Sequence, residues 1–180
     1  KDRRGQIPDM LSIHVRPPEI EDRQFPGHWE EDLIKGEGNA SAVGALVERT
    51  SRLVMLVKLP EFKPASAANV LQAFTDKLLG IAQPMRLSMT KTQGREMSMH
   101  KKLSEQPGIA VYFCDPHSPW QRGSNENMNG LVRRYLPKGA GLSIYSQEQL
   151  DAIADEINNR PRKGLGGGYD RHWRSTANCS

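Results

Sequence analysis

The 180-residue chain has only two cysteines, Cys114 and Cys179, and no long apolar run. The two cysteines lie far apart and form no CxxC motif, so the sequence predicts neither a disulfide framework nor a zinc site, as in a protein of the reducing cytoplasm. No apolar run approaches the length of about 18 residues that spans a bilayer, and the sequence has no signal peptide. We therefore expect a cytoplasmic protein with no membrane partner.

The short motifs of several enzyme classes are also missing. The chain has no glycine-rich phosphate loop, no dinucleotide-binding fingerprint and no Ser-His-Asp arrangement. His28 and His117 stand in loop-like contexts, and no HxH or HExxH spacing supports a metal-ligand pair, so structural or surface roles are favoured. The net charge of +4 and the pI of about 9.2 are compatible with a polyanionic partner but do not identify one.

What the chain does contain is a composition and a pattern typical of one globular domain, with 37% hydrophobic and 26% charged residues. The apolar periodicities predict strands at 29–34, 42–48, 53–58, 85–91 and 109–114, and helices at 65–79, 95–104, around Glu126, and at 147–158. This order predicts an α/β fold with a mixed five-stranded sheet flanked by helices, antiparallel at its opening hairpin. We expect an N-terminal arm or linker over 1–26, a core over 27–163 and an atypical, disordered tail over 164–180.

The helix around Glu126 has two different faces. At 100° per residue, Arg122, Glu126, Asn129, Gly130 and Arg133 share one face, while Met128, Leu131, Val132 and Tyr135 share the other. The polar face carries an acid ringed by amide and guanidinium groups, which suits a metal ion and a phosphodiester. A solvated face with incidental charges is the alternative.

A second acid, Asp32, lies within an otherwise apolar strand. Burial of a carboxylate is costly unless it meets a cation or hydrogen-bond donors, which makes Asp32 a candidate metal ligand. Because Glu30, Asp32 and Ile34 share one face, Asp32 could equally face solvent.

Basic and amide side chains that could follow a DNA backbone cluster in the last third of the chain, and scattered surface charge is the alternative. The candidate DNA-binding residues are Arg122, Asn129, Arg133, Arg134, Lys138, Arg160, Arg162 and Lys163.

Three stretches together resemble the catalytic core of DDE transposases, specifically the bacterial insertion-sequence transposases of the IS30 family, which share the integrase core. The resemblance runs from about residue 24 to residue 165 and implies a ribonuclease-H-like fold. The motifs are His28-Trp29-Glu30-x-Asp32-Leu33, Thr90-x-x-Gln93-Gly94-Arg95-Glu96-Met97, and Tyr112-Phe113-Cys114-Asp115-Pro116-His117-Ser118-Pro119-Trp120-Gln121-Arg122-Gly123-Ser124-Asn125-Glu126-Asn127.

The resemblance implies a chemistry in which three carboxylates hold two Mg²⁺ or Mn²⁺ ions for phosphodiester cleavage and strand transfer. Asp32 matches the first carboxylate and Glu126 the third. The partner it implies is double-stranded DNA, both the element ends and the target, and the full-length protein is expected to be a homo-oligomer.

The second carboxylate is where this chain departs from the family. The family reads Thr-Tyr-Asp-Gln-Gly where this chain reads Thr90-Lys91-Thr92-Gln93-Gly94, so Thr92 stands at the position of the aspartate. The spacing of Thr92 to Glu126 is that of the family. A neutral hydroxyl cannot supply the missing charge, and Lys91 is expected to add a repelling cation. Asp115 and Glu96 are the nearby substitutes.

Further departures lie at position 31, where Glu31 replaces a small residue, and after Leu165, where the tail is unlike the family. The expected helix-turn-helix region upstream of the core is also missing. We therefore expect a fragment of a decayed or truncated transposase with impaired chemistry and a weakened two-ion site. The alternatives are a non-catalytic remnant that binds DNA or pairs with an intact transposase, and a metal-dependent nuclease of the same fold.

Overall fold

The computed structural model describes residues 11–60, 67–91 and 109–161. Within these ranges six strands form one sheet, flanked by four α-helices and several short 3-10 turns. The strands are β1 (Leu11–Ser12), β2 (His28–Lys35), β3 (Ala42–Glu48), β4 (Val54–Lys58), β5 (Ser88–Lys91) and β6 (Ala110–Phe113), and the helices are α1 (Pro18–Glu21), α2 (Ala67–Leu79), α3 (Gly123–Val132) and α4 (Gln147–Asn158).

The sheet is mixed, as the sequence predicts, with the order β1-β6-β5-β2-β3-β4. Strands β2, β3 and β4 form an antiparallel meander, whereas β5 runs parallel to β2, β6 parallel to β5 and β1 parallel to β6. Strand β2 therefore lies at the centre, between the antiparallel and the parallel half. The Glu30↔Thr90 register puts these two residues on the same face of the sheet.

Each face of the sheet is covered by helices, and β2 alternates between the two cores. Trp29 and Leu33 face α2, where they pack with Phe74. Ile34, two residues after Asp32, faces α3 and α4. Asp32 therefore points toward α3, because side chains two apart on a strand share a face.

Two sequence predictions are wrong in detail. The strand expected at 85–91 begins only at Ser88, because Gln83–Met85 forms a 3-10 turn with Pro84 in its first turn. The sheet has six strands rather than five, since Leu11 and Ser12 pair with Tyr112 and Phe113 at its edge. The described part of the expected arm is thus folded onto the sheet, with α1 following.

The other predicted elements agree with the structure to within two residues where it describes them. Helix α4 has the predicted bounds, and Ser146 and Gln149 form a reciprocal capping box at its start. The predicted helix at 95–104 and the tail over 164–180 lie outside the described residues. Within the described ranges, no helix is long and apolar enough to cross a membrane.

Candidate active site

The Asp32 carboxylate lies between two donors from α3 and its preceding turn. Asn129 Nδ2 donates to Asp32 Oδ2 at 2.5 Å, and Arg122 Nη1 lies 3.1 Å from Asp32 Oδ1. The Asp32 side chain is 23% exposed. The structure thus answers the question that strand alternation left open: Asp32 faces a helix and meets a cation and an amide.

Glu126 lies at the start of α3, between Arg122 and Asn129 in sequence. Arg122 and Asn129 are seven residues apart, about two helical turns, and both contact Asp32, so their common stripe faces β2. Glu126 falls between them on that stripe, in the first turn of α3, and is exposed. Met128 and Val132, which helical spacing assigns to the apolar side of α3, are buried in the core with Ile34 of β2.

One of the two side chains that contact Asp32 also carries an oxygen that could ligate a hard cation. Asn129 uses its Nδ2 on Asp32, while its Oδ1 is buried with no hydrogen-bond partner. An unpartnered amide oxygen beside a carboxylate is a ligand type that Mg²⁺ accepts. Among the described residues, however, no group of three or more His, Cys, Asp or Glu side chains lies close enough to hold a metal. Thr92 lies outside the described residues.

Buried contacts fix the start of α3 against β2. The Asn125 backbone N–H donates to Glu30 Oε2 at 3.2 Å, and the Asn125 side chain donates to the Glu31 carbonyl. Arg122 Nη1 donates to the same carbonyl at 3.0 Å. Arg49 Nη1 lies 2.5 Å from Glu30 Oε1. Burial raises the pKa of Glu30, and the Arg49 guanidinium opposes that rise.

Sequence reasoning missed these positioning residues. The sequence marked Asn125 and Glu30 only as members of the family motifs. It placed Arg49 only in the turn of a hairpin. The one available signal was Glu30 itself, an acid on the same strand face as Asp32 and Ile34. An acid on a face that is apolar elsewhere requires a buried cation, and Arg49 is that cation.

The expectation that Lys91 adds a repelling cation to the site is wrong. Lys91 Nζ lies 2.6 Å from Glu31 Oε2, and the ammonium is 5.7 Å from the centre of the Phe74 ring. Both side chains of the pair are buried. They lie on the α2 face of the sheet, opposite Asp32, because Lys91 follows Thr90 and Glu31 precedes Asp32 on alternating strands. The two departures from the family pattern therefore neutralise each other.

Asp115, one candidate substitute for the second carboxylate, is engaged elsewhere. Its Oδ2 accepts from Gln121 Nε2 at 2.9 Å and lies 2.7 Å from His14 Nε2. These hydrogen bonds, that of Gln121 first, lower the pKa of Asp115. Glu96, the other candidate, lies outside the described residues.

The candidate DNA-binding residues fall into different environments. Arg122 is buried and contacts Asp32, and Arg160 Nη2 donates to Tyr135 Oη at 2.6 Å. Arg133 is partly buried, with a long contact of 3.4 Å to the Leu136 carbonyl. Arg134 and Lys138 are exposed, whereas Arg162 and Lys163 lie outside the described residues.

Two curated relatives match most of the chain. It is 66% identical, over 91% of its length, to the transposase for insertion sequence element IS1086 of Cupriavidus metallidurans, and 46% identical, over 85% of its length, to the transposase InsI for IS30A of Escherichia coli. Over most of its length the chain is thus homologous to transposases of the IS30 family. It spans 48% and 39% of the lengths of these two relatives. No family model matches it.

Solved structures extend the likeness of fold to retroviral integrases. The catalytic core domain of BIV integrase superposes with a TM-score of 0.54 at 20% identity, covering 78% of this chain and 88% of that one. A chain of the simian T-cell lymphotropic virus intasome, in complex with PP2A regulatory subunit B56 gamma, gives a TM-score of 0.53 at 15% identity, covering 89% and 55%. The predicted ribonuclease-H-like fold is confirmed.

Proposed function

We propose that this chain is the catalytic domain of an IS30-family transposase, which binds DNA ends and joins them to a target through metal-assisted phosphodiester chemistry. The single observation that supports the proposal is the position of Asp32, held by Arg122 and Asn129, which flank Glu126 in sequence at the start of α3. A two-metal site requires carboxylates at one crevice, and we infer that Glu126 joins Asp32 between the central strand and the start of α3.

Asp32 and Glu126 would hold divalent cations, Mg²⁺ or Mn²⁺, and position 92 would complete the set. When bound, two such ions activate the attacking oxygen and stabilise the leaving oxygen of an in-line displacement. Arg122 holds the Asp32 carboxylate in place and offsets part of its charge, while Asn129 fixes its orientation from the other oxygen. The exposed Arg134 and Lys138, with Arg133 and the basic residues that follow Asn159, would contact DNA phosphates.

We further propose that Thr92 impairs this chemistry. Two cations close together need several anionic oxygens to offset their mutual repulsion, and a hydroxyl in place of the aspartate removes one charge and its bridging oxygens. Loss of a group that stabilises transition-state charge costs about 10²–10³-fold in rate. The site of this chain is therefore expected to bind metal weakly and to turn over slowly.

The test is a strand-transfer assay of the chain with a pre-cut donor end, in Mn²⁺, on the parent and on Thr92→Asp. We expect joined product from Thr92→Asp at least about 100-fold faster than from the parent, and none from Thr92→Asp combined with Asp32→Asn. Hydrolysis without joining would identify a nuclease instead. Equal rates from parent and revertant would show that Thr92 is not the defect.

A non-catalytic role is the second candidate, favoured by the same substitution. A chain that binds DNA or pairs with an intact transposase needs the fold but not the second carboxylate. If neither protein gives product in the assay while DNA is still retained in a gel-shift experiment, this candidate replaces the first.

A further inference from the structure

A cavity of about 340 Å³ lies beside the carboxylate site, between three segments that are distant in sequence. The N-terminal segment contributes His14, Arg16 and Arg23, the turn after β3 contributes Arg49, and the turn before α3 contributes Trp120. Its volume is at the low end of the range of about 300–1,000 Å³ for small-ligand sites, which suits a single nucleotide.

Positive charge exceeds negative charge in this cavity. Arg16 and Arg49 are buried, with 1% and 4% of their side chains exposed, and they share Glu21 as an ion-pair partner. Arg49 also pairs with Glu30. No carboxylate among the described residues forms an ion pair with Arg23. Three guanidinium groups therefore face two carboxylates.

The buried arginines keep unused donors. The Nε–H groups of Arg16 and Arg49 are buried without a hydrogen-bond partner. Burial and the neighbouring Arg49 lower the pKa of Arg16 to about 10, so the cluster is short of negative charge. Unsatisfied donors on buried cations are uncommon in folded proteins, and negative charge in the adjoining cavity would offset the excess of guanidinium groups.

Trp120 gives the cavity an aromatic wall that the described part of the chain leaves largely exposed. It is 71% exposed, although large aromatic side chains are among those most often buried or at interfaces. Exposed aromatic rings beside guanidinium groups are the platform on which single-stranded nucleic acids stack their bases.

We propose that this cavity binds an unpaired nucleotide of a DNA strand, with the phosphate held by Arg23 and attracted by the buried Arg16 and Arg49, and with the base stacked on Trp120. That the nucleotide belongs to a DNA strand rests on the proposed function, whereas the existence of a binding site rests on the cavity and the residues that line it. Glu30, which pairs with Arg49, is two residues from Asp32 on the same strand face, a distance of roughly 7 Å. A strand at the carboxylates can thus place a neighbouring nucleotide here.

The experiment measures binding in EDTA, so that no cleavage occurs, with a fluorescently labelled, 5′-phosphorylated oligo(dT) of eight nucleotides. Anisotropy gives the Kd of the parent chain and of the variants Trp120→Ala, Trp120→Phe and Arg23→Gln. We expect Trp120→Ala to weaken binding about tenfold, since stacking of one base contributes a factor of this order. Trp120→Phe should restore most of the affinity, and Arg23→Gln should weaken binding and reduce its salt dependence by about one ion.

Lys35→Gln is the matched control, because it removes one exposed positive charge at the end of β2, away from the lining of the cavity. The inference is overturned if Trp120→Ala and Arg23→Gln weaken binding no more than Lys35→Gln does, or if a blunt duplex hairpin competes as well as the single strand. If dTMP or inorganic phosphate competes at the same concentration as the oligonucleotide, the ligand of the cavity is a free nucleotide or phosphate and not a DNA strand. If these variants bind no more weakly than the control while strand transfer is intact, only this inference is lost. If they weaken binding as expected while no strand transfer occurs, only the proposed function is lost.

Discussion

Glu31 and Lys91 show how two residues that look harmful one at a time form a compensated pair. Each departs from the IS30 family pattern, and the 2.6 Å contact joins them under α2. A buried charge is tolerated when an opposite charge lies beside it, so one substitution makes the other acceptable. Reversion of this chain toward the family must therefore change both positions together.

We expect Lys91→Tyr to destabilise the chain by about 3–5 kcal/mol, because the buried Glu31 carboxylate loses its cation. Glu31→Ala combined with Lys91→Tyr should recover most of that loss. Urea unfolding followed by circular dichroism measures both, with the exposed Lys35→Ala as a control expected within about 0.5 kcal/mol of the parent. A double variant no more stable than Lys91→Tyr would show that the pair is not the reason for the loss.

Cys114 is expected to be chemically inert in the folded chain. It is 1% exposed, and burial raises the pKa of its thiol to about 11. At pH 8 roughly one Cys114 thiol in a thousand is then ionised, and the thiolate is the reactive form. In a Cys179→Ser variant, iodoacetamide at pH 8 should leave the native protein unmodified for hours and label it promptly in 6 M urea. Rapid labelling of the native variant would contradict the burial of Cys114.

At the scale of elements, the packing of α2 on β3 depends on Gly44. A Cβ built at Gly44 would lie 2.5 Å from Cζ of Phe74, a side chain that is fully buried. We expect Gly44→Ala to lower the free energy of unfolding by about 1–3 kcal/mol, the usual cost of overpacking a core. Phe74→Leu in the same chain should reduce the additional cost of the alanine, because it removes the ring that the new methyl group meets.

Gly141→Ala is the matched control for this prediction. A Cβ at Gly141 meets nothing within 4 Å, and its φ of −71° suits any residue. The substitution should be neutral or stabilising by less than about 1 kcal/mol, since alanine restricts the unfolded chain. Equal losses from Gly44→Ala and Gly141→Ala would show that contact with Phe74 is not the cause.

Elements with a clear period were the ones that the sequence predicted well. Strand β3 and helix α4 have the predicted bounds, because each has a clear apolar pattern and α4 has a capping serine. Strand β1 was missed because two residues carry no periodicity, and its pairing with β6 depends on a contact about 100 residues away. Met85 looked like part of an alternating strand, but Pro84 places it in a 3-10 turn.

The features of the candidate site likewise divide into local ones, which the sequence predicts, and contacts between distant residues, which it does not. Glu126 and the split faces of α3 could be predicted from helical spacing, since that is local. The contacts of Asp32 with Arg122 and Asn129 join positions more than 80 residues apart, and no local pattern reports them. The anion that pairs with Lys91 and the anions that pair with Arg49 were hidden for the same reason.

At the scale of the whole molecule, bound metal should stabilise the fold more as the affinity of the site for metal increases. A ligand that binds only the folded state at ten times its Kd adds about 1.4 kcal/mol, or about 3–5 °C in Tm for a chain of this size. We expect Thr92→Asp to gain such a shift in millimolar Mn²⁺ and the parent to gain much less. In EDTA, Thr92→Asp should gain no stability, because the added carboxylate then has no metal ion to offset its repulsion from the other carboxylates.

Two further variants assign the shift to the proposed ligands. In the Thr92→Asp chain, Asp32→Asn and Glu126→Gln should each abolish most of the Mn²⁺-dependent rise in Tm, since each removes one anionic ligand. Lys138→Gln, on the exposed surface, should leave the rise intact. A parent chain that already shows the full rise would mean that another carboxylate serves the metal, and Asp115→Asn in the parent then tests whether it is Asp115. If the rise survives Asp32→Asn, the metal is bound elsewhere, and Asp32 with Glu126 cannot be the centre of the site.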